Sequence, residues 1–252
     1  MLIPLILVLI NSLKDKYQSS SMGMDLPTKL HFENYITVIN QGKLFRSFFN
    51  SMLYAGTSII FGVILAAMAA YVLSRNKSKL NKFLYFFMVL GIAVPINYVS
   101  LTKIMQMTHL MNTQLGICLL YTAMQIPFSV FLFYGFIVTV PKELDEAGIL
   151  DGCTPLRLFF SIVFPLLKPV AVTVGILNFM GAWNDFVTPL YYLNSAKNWP
   201  MTLAVYNFFG QYQMQWNLVS ADIVLTSLPV IVIYLIGQKY IISGMTSGSV
   251  KG

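Results

Sequence analysis

Residues Phe48–Leu73 read FFNSMLYAGTSIIFGVILAAMAAYVL and form the centre of a run with no charged residue between Arg46 and Arg75. A helix rises about 1.5 Å per residue, so about 20 apolar residues cross a hydrocarbon core about 30 Å thick. The run therefore predicts a membrane-spanning helix. Small residues let helix backbones approach closely, so their number here indicates a span packed inside a bundle. They are Ala55, Gly56, Gly62, Ala66, Ala67, Ala69 and Ala70.

The composition of the whole chain fits a membrane protein. Of 252 residues, 57% are hydrophobic and 10% are charged, against roughly 25% charged in an average soluble domain. The net charge of +7 could suggest a nucleic-acid partner, but the basic residues lie in the breaks between apolar runs, as expected at a membrane. The sequence predicts a single integral membrane domain over residues 1–252 in a lipid bilayer, without nucleic acid.

Further apolar runs bring the predicted number of spans to about six, in an all-α fold. Met1–Leu13 is shorter than a full span and is interpreted as a first span that is cut short. The other predicted spans are Phe83–Leu101, interrupted by Pro95; Leu115–Val138; Pro169–Leu193, broken by Asp185 and Pro189; and Leu218–Ile236.

The basic residues predict the orientation. Four of them lie in the short break Arg75–Lys82, and none lies in Ile104–Thr113. Cytoplasmic loops carry the excess of Lys and Arg, so Arg75–Lys82 is predicted to be cytoplasmic. Alternation of sides then places Pro141–Arg157 and the tail 238–252 in the cytoplasm and the aromatic loop 194–217 outside.

The segment Pro141–Gly152, PKELDEAGILDG, predicts a short cytoplasmic helix. It has proline at its start, acids near the positive end of the dipole and glycine at its stop. A second helix is predicted from about Pro155. Two interpretations are open: a helical hairpin lying on the membrane surface, or a projection that docks a soluble partner.

This segment resembles the EAA signature of ATP-binding-cassette (ABC) importer permeases. Glu146, Ala147 and Gly148 are followed after three residues by Gly152, and after nine more by Ile162 with Pro165. Gly148 stands where a second alanine is usual, and Phe164 where leucine commonly precedes the proline. Further resemblance to the maltose-type, MalG-like carbohydrate permeases covers nearly the whole chain. It includes GAWNDF (181–186), GQYQMQWNL (210–218), TSLPV (226–230) and GMTSGSVKG (244–252).

The resemblance implies a type I ABC importer permease fold, multi-pass in the cytoplasmic membrane, with the EAA segment at about 141–165. It implies as partners a second, similar permease, two ATPase subunits that bind ATP and Mg, and an extracytoplasmic solute-binding protein. The residues implied in coupling to the ATPase are Leu144, Glu146, Ala147, Gly148, Asp151 and Gly152. The loop at about 194–216 resembles one that probes the binding protein, and the tail near 247–252 one that reaches between the ATPases.

Polar and aromatic side chains on apolar runs are candidates for a sugar pathway, because sugar sites use aromatic faces with amide and hydroxyl partners. They are Asn97, Tyr98, Tyr121, Gln125, Trp183 and Asn184. The alternative for each is hydrogen bonding between helices or anchoring at the interface. Asp185 and Asp222 lie in or near spans, where an ionisable group suggests a proton relay. Hydrogen bonds to neighbouring helices are the favoured alternative for both.

The chain is not predicted to be an enzyme. No P-loop, GxGxxG, HExxH or GxSxG motif occurs, and His31 and His109 lack nearby partners of metal-ligand type, so we expect no metal and no cofactor on this chain. The resemblance implies import of a carbohydrate, with an oligosaccharide favoured over glycerol phosphate or another polyol. A stand-alone secondary transporter predicts intramembrane charge pairs and inverted repeats, and a membrane-embedded enzyme predicts clustered catalytic groups. The sequence shows neither pattern.

Overall fold

The computed structural model describes residues 2–209 and 214–246 and is mostly helical. The predicted tail segment 247–252 and residues 210–213 of the predicted external loop lie outside this part. The α-helices are α1 (Leu2–Ser12), α2 (Glu33–Gln41), α3 (Leu44–Arg75), α4 (Lys79–Ala93), α5 (Tyr98–Met107), α6 (Gln114–Ile137), α7 (Glu143–Leu150), α8 (Pro155–Leu158), α9 (Phe164–Leu166), α10 (Lys168–Asn184), α11 (Val187–Tyr192), α12 (Met201–Ala204) and α13 (Trp216–Thr246). A π-helical turn, Phe159–Val163, joins α8 to α9.

Three described helices are long and apolar enough to cross a membrane: α3, α6 and the Trp216–Tyr240 part of α13. They confirm the predicted spans that begin near Phe48, Leu115 and Leu218. Pro127 and Pro229 lie inside α6 and α13, which continue through them. In a bundle, neighbouring groups can satisfy the carbonyl that a proline leaves free.

Two further apolar segments are bent pairs of helices, so the described spans number three, or five if each pair is one span. In the first, α4 and α5 meet at 113°, and in the second, Pro155–Leu166 and α10 meet at 80°. Pro95 lies in the break between α4 and α5, as predicted. Helix α1 is apolar but has only 11 residues, so the predicted count of about six is reached only by adding this short helix.

The sequence placed several helix boundaries wrongly. Helix α13 continues past Ile236, where the predicted last span ends, to Thr246, so the predicted tail from residue 238 begins inside this helix. Helix α5 runs to Met107, past Lys103, where the predicted span ends. Pro189 does not break a helix but lies in the first turn of α11, where its missing N–H has no intrahelical partner to lose. The predicted break at Asp185 is confirmed, because α10 ends at Asn184.

The contacts of the chain form two compact units. The first contains the described parts of Met1–Tyr54, Ile104–Ile117 and Trp183–Ile233. In it, the Asn50 amide donates to the carbonyl oxygens of Lys197 and Trp199 at 2.9 and 3.0 Å. These bonds fix the start of the predicted external loop to the beginning of α3.

The second unit contains the described parts of Ala55–Lys103, Cys118–Ala182 and Tyr234–Gly252. Its core packs Ala66, Ala67 and Ala70 of α3 among apolar side chains of α6, the π-turn and α10. All three alanines are fully buried. This confirms that the small residues of α3 face a bundle, because they allow close approach.

Candidate functional site

The predicted cytoplasmic helix is present as α7, which begins two residues after Pro141. Three acids, Glu143, Asp145 and Glu146, lie in its first turn, where the helix dipole favours negative charge. The helix ends at Leu150, and Gly152, two residues later, has a left-handed φ of 75°. The Cys153 N–H donates to the Gly148 carbonyl at 3.0 Å, so glycine supports a sharp reversal of the chain.

A second arm follows this reversal and packs against α7. Helix α8 begins at Pro155, as predicted, with Thr154 accepting a hydrogen bond from the Arg157 N–H at 3.4 Å. A Cβ atom added to Gly148 would lie 2.4 Å from Cδ1 of Leu158. The absence of a side chain at Gly148 therefore lets the two arms of the hairpin close on each other.

A buried ion pair ties α7 to the end of the first long span. Arg75 Nε lies 2.6 Å from Oδ2 of Asp145, and the two side chains are 14% and 12% exposed. The Arg75 guanidinium also donates to the Val140 carbonyl at 3.1 Å. Sequence reasoning missed this pair, because it counted Asp145 only among the acids of the first turn and Arg75 only among the basic residues of the break.

The outer face of α7 is open. Leu144, Ile149 and Leu150 are 39%, 63% and 88% exposed, and Glu146 and Ala147 are exposed beside them. An apolar helix face with acidic neighbours is suited to lie in a groove of another protein. Of the residues that the resemblance implies in coupling, Leu144, Ala147 and Asp151 are exposed, whereas Gly148 is buried inside the hairpin.

Four of the six candidates for the substrate pathway lie in the second unit. Asn97 is exposed, and its side-chain oxygen accepts from the Ser100 N–H at 3.0 Å, which caps α5. Tyr98 is the partly exposed first residue of α5, and Tyr121 is buried. Gln125 donates to the Asn178 carbonyl at 3.0 Å. This bond joins α6 to α10 and matches the alternative to a sugar contact, which was hydrogen bonding between helices.

The other two candidates, Trp183 and Asn184, end α10 in the first unit. Trp183 is 1% exposed, and its indole N–H donates to the Thr226 carbonyl at 3.1 Å. Asn184 is exposed. Trp183 thus holds α10 to α13, while Asn184 keeps a free surface.

The two intramembrane acids differ in their surroundings. Asp185 Oδ1 accepts from the N–H groups of Val187 and Thr188 at 3.0 and 3.2 Å, so it caps the start of α11. Asp222 on α13 is 1% exposed, and its Oδ1 has no hydrogen-bond partner in the described part of the chain. The bonds of Asp185 are local to its own turn and are not the predicted bonds to a neighbouring helix, and Asp222 Oδ1 makes no hydrogen bond in the described part of the chain.

Known proteins similar to this chain are transport permeases. From Bacillus subtilis, the melibiose/raffinose/stachyose import permease protein MelC is 36% identical over 99% of this chain and 91% of its own length. The multiple sugar-binding transport system permease protein MsmG of Streptococcus mutans is 33% identical over 99% of this chain and 92% of its own length.

Solved structures share the fold. A chain of a bacterial ABC transporter involved in the import of the acidic polysaccharide alginate matches with a TM-score of 0.80 at 20% identity. The match covers 95% of this chain and 90% of that one. The MetNI methionine ABC transporter matches with a TM-score of 0.60 at 15% identity, over 80% of this chain and 95% of that one. The predicted type I importer permease fold is confirmed.

The family assignment rests on a match to most of the chain. Residues 58–247 match the family of binding-protein-dependent transport system inner membrane components. This range includes α7, its reversal and the second arm of the hairpin. The chain belongs to this family and is a multi-pass transport permease of the cytoplasmic membrane.

Proposed function

We propose that this chain is a permease subunit of an ATP-driven importer of oligosaccharides. It works with a second permease, two ATPase subunits and an extracytoplasmic solute-binding protein, and ATP and Mg are bound by the ATPases. Support comes from the relatives whose names state import of melibiose, raffinose and stachyose, or multiple sugars.

The observation that carries the proposal is the exposed outer face of α7 on a firmly held hairpin. Leu144, Glu146 and Ala147, with Asp151 at the turn, offer contacts for a groove on the ATPase. Leu150, 88% exposed, extends the same apolar surface. Burial of these side chains would favour docking, since apolar burial contributes about 25 cal/mol per Å².

The hairpin transmits motion because two contacts hold it. The Asp145–Arg75 pair fixes α7 to the end of α3, and Gly148 packs it on the second arm. Gly152 closes the reversal between the arms. A push on α7 by the closing ATPases is therefore passed to the membrane helices instead of being absorbed by a loose tether, which drives alternating access.

The test is a charge reversal on the outer face. Glu146→Lys in the full complex, reconstituted in proteoliposomes with the binding protein, should reduce ATP-dependent uptake at least about tenfold, because mismatched charge in a docking groove costs several kcal/mol. Asp25→Lys, a matched reversal at an exposed acid outside the hairpin, should leave uptake unchanged. Full uptake by an assembled Glu146→Lys complex would refute the coupling role.

The substrate class is tested separately. The cognate solute-binding protein, purified without added ligand, should retain an oligosaccharide that mass spectrometry identifies. Retention of glycerol phosphate or another polyol would contradict the oligosaccharide assignment while leaving the coupling role intact.

A further inference from the structure

A cavity of about 440 Å³ lies in the first unit, beside the start of α13. This volume falls in the range of about 300–1,000 Å³ that is usual for small-molecule sites. None of the six residues predicted for the substrate pathway lines it. Its lining residues are Phe186, Thr202, Val205, Tyr206, Phe209, Trp216, Val219, Asp222, Ile223, Thr226 and Ser227.

Aromatic rings form much of the wall. The rings of Phe186 and Tyr206 are stacked, with centroids 5.7 Å apart and an interplanar angle of 23°. Phe209 lies against Tyr206 at 5.2 Å, and Trp216 also lines the cavity. The electron-rich faces of such rings attract positively polarised C–H groups, which a pyranose ring presents on its flat side.

Two polar atoms beside these rings have no hydrogen-bond partner among residues 2–209 and 214–246. They are Oδ1 of Asp222 and Oγ1 of Thr226, both buried and both without a hydrogen bond in the described part of the chain. The two residues are four apart on α13 and therefore lie on the same face. Buried polar groups in proteins are nearly always hydrogen-bonded, so this pair indicates a missing partner.

The chemistry of the missing partner follows from the two groups. The Asp222 carboxylate oxygen accepts a hydrogen bond, so its partner must donate one. The Thr226 hydroxyl has a proton to donate, so its partner must also offer an acceptor. A sugar hydroxyl is both donor and acceptor, whereas an ammonium ion would satisfy the carboxyl and the rings but would offer the Thr226 proton no acceptor. Thr202 and Ser227 already donate to the carbonyls of Asp185 and Ile223.

We propose that this cavity is a saccharide subsite of the permease, in which a pyranose ring stacks on Tyr206 and its hydroxyls bond to Asp222 and Thr226. The inference rests on the proposed import of oligosaccharides and gives this chain its own contact with the sugar. Part of its lining belongs to the predicted external loop 194–217, so the subsite would receive sugar early in its passage.

Direct binding tests the subsite. The complex of both permeases and the ATPases is placed in nanodiscs without the binding protein, and radiolabelled raffinose, one of the sugars named for the Bacillus subtilis relative, is titrated. Asp222→Asn and Thr226→Val each should weaken binding about tenfold, because each disrupts one hydrogen bond at a buried group. Tyr206→Leu should weaken it by a similar factor through loss of the stacking face.

Two variants serve as matched controls. Thr37→Val makes the same replacement as Thr226→Val at a threonine that bonds to its own helix and does not line the cavity, and Tyr191→Leu removes an exposed tyrosine that does not line the cavity. Both should bind raffinose within about twofold of the unaltered complex, since neither loses a bond to the sugar. Valine has nearly the same shape as threonine, so the Thr226→Val complex should assemble. It therefore tests the subsite even if the Asp222→Asn complex fails to assemble.

The outcomes separate the two proposals. If the unaltered complex imports no oligosaccharide in the presence of its binding protein, the proposed function is overturned. If the unaltered complex imports raffinose, but the Thr226→Val and Tyr206→Leu variants bind raffinose as tightly as the unaltered complex does, the subsite alone is overturned. Displacement of raffinose by choline but not by melibiose would also overturn it in favour of a cation site.

Discussion

Arg75 and Asp145 form an ion pair, and its effect on the free energy of unfolding depends on both partners being present. Their side chains are mostly buried, at 14% and 12% exposure, so neither charge is well solvated once the other is gone. Breaking a buried ion pair on one side costs about 3–5 kcal/mol, while replacing both partners with apolar residues is often neutral. The pair therefore sets the position of α7 more than it adds to stability.

We expect Asp145→Asn to lower the melting temperature of the purified complex and to reduce uptake, because it leaves Arg75 buried without a counter-charge. The double variant Arg75→Met/Asp145→Leu should recover most of the melting temperature. A double-mutant cycle should give a coupling energy above about 1 kcal/mol. Glu143→Gln, at an exposed acid of the same helix, is the control, and a coupling energy near zero would show that the pair does not position α7.

At the scale of single elements, the hairpin of α7 and α8 depends on the turn between its arms. Gly152 has φ of 75°, a conformation that costs other L-residues about 1–2 kcal/mol. Asparagine tolerates it better than alanine does. The turn is thus a local property that sequence reasoning could identify from the glycine alone.

Gly152→Ala should lower the melting temperature of the complex and reduce ATP-dependent uptake, and Gly152→Asn should do so less. Gly56→Ala provides a control, since a Cβ atom there meets nothing within 4 Å and alanine favours a helix over glycine by about 1 kcal/mol. Equal melting temperatures for Gly152→Ala and the unaltered complex would mean that the strained turn is not needed.

The breaks in the membrane helices depend on their surroundings as well as on residue type. Pro95 lies where the helix is interrupted between α4 and α5, but Pro127 and Pro229 lie inside continuous helices. Each proline removes the same hydrogen bond. Neighbouring helices decide whether the freed carbonyl is satisfied in place, so sequence alone predicts a possible break and not its presence.

At the scale of the whole molecule, the structure bears on which loops share a side of the membrane. The Arg75 guanidinium donates to the Val140 carbonyl, so the chain after α3 lies beside the chain after α6. The positive-inside rule predicts the first of these to be cytoplasmic. We therefore expect the hairpin of α7 on the same side, where the proposed ATPases would act.

Impermeant maleimide labelling tests this arrangement in a Cys118→Ser/Cys153→Ser background, which removes both native cysteines. Lys77→Cys and Lys142→Cys should react only in inside-out vesicles, because both exposed positions are predicted to face the cytoplasm. Lys197→Cys, in the predicted external loop, should react only in right-side-out vesicles. Labelling of Lys142→Cys from the outside would contradict the coupling role of α7.

Features that follow from local physics could be predicted from the order of residues alone. Long uncharged runs such as Phe48–Leu73 must be helical in a bilayer, since no other open segment satisfies its own backbone there. The acids, the glycine stop and the spacing of the EAA-like segment located α7 and the family. Helix boundaries were less certain, as the extension of α5 to Met107 shows.

The contacts between side chains that are distant in sequence became known only from the packing of the helices. Arg75 and Asp145 are 70 positions apart, and the cavity joins Phe186 to Thr226, with nothing in the sequence to mark either contact. Side chains on apolar runs have many possible neighbours, and the packing of helices selects among them. For that reason Gly148 proved to be an interior packing residue, and Asp222 a buried group whose Oδ1 has no hydrogen-bond partner among the described residues.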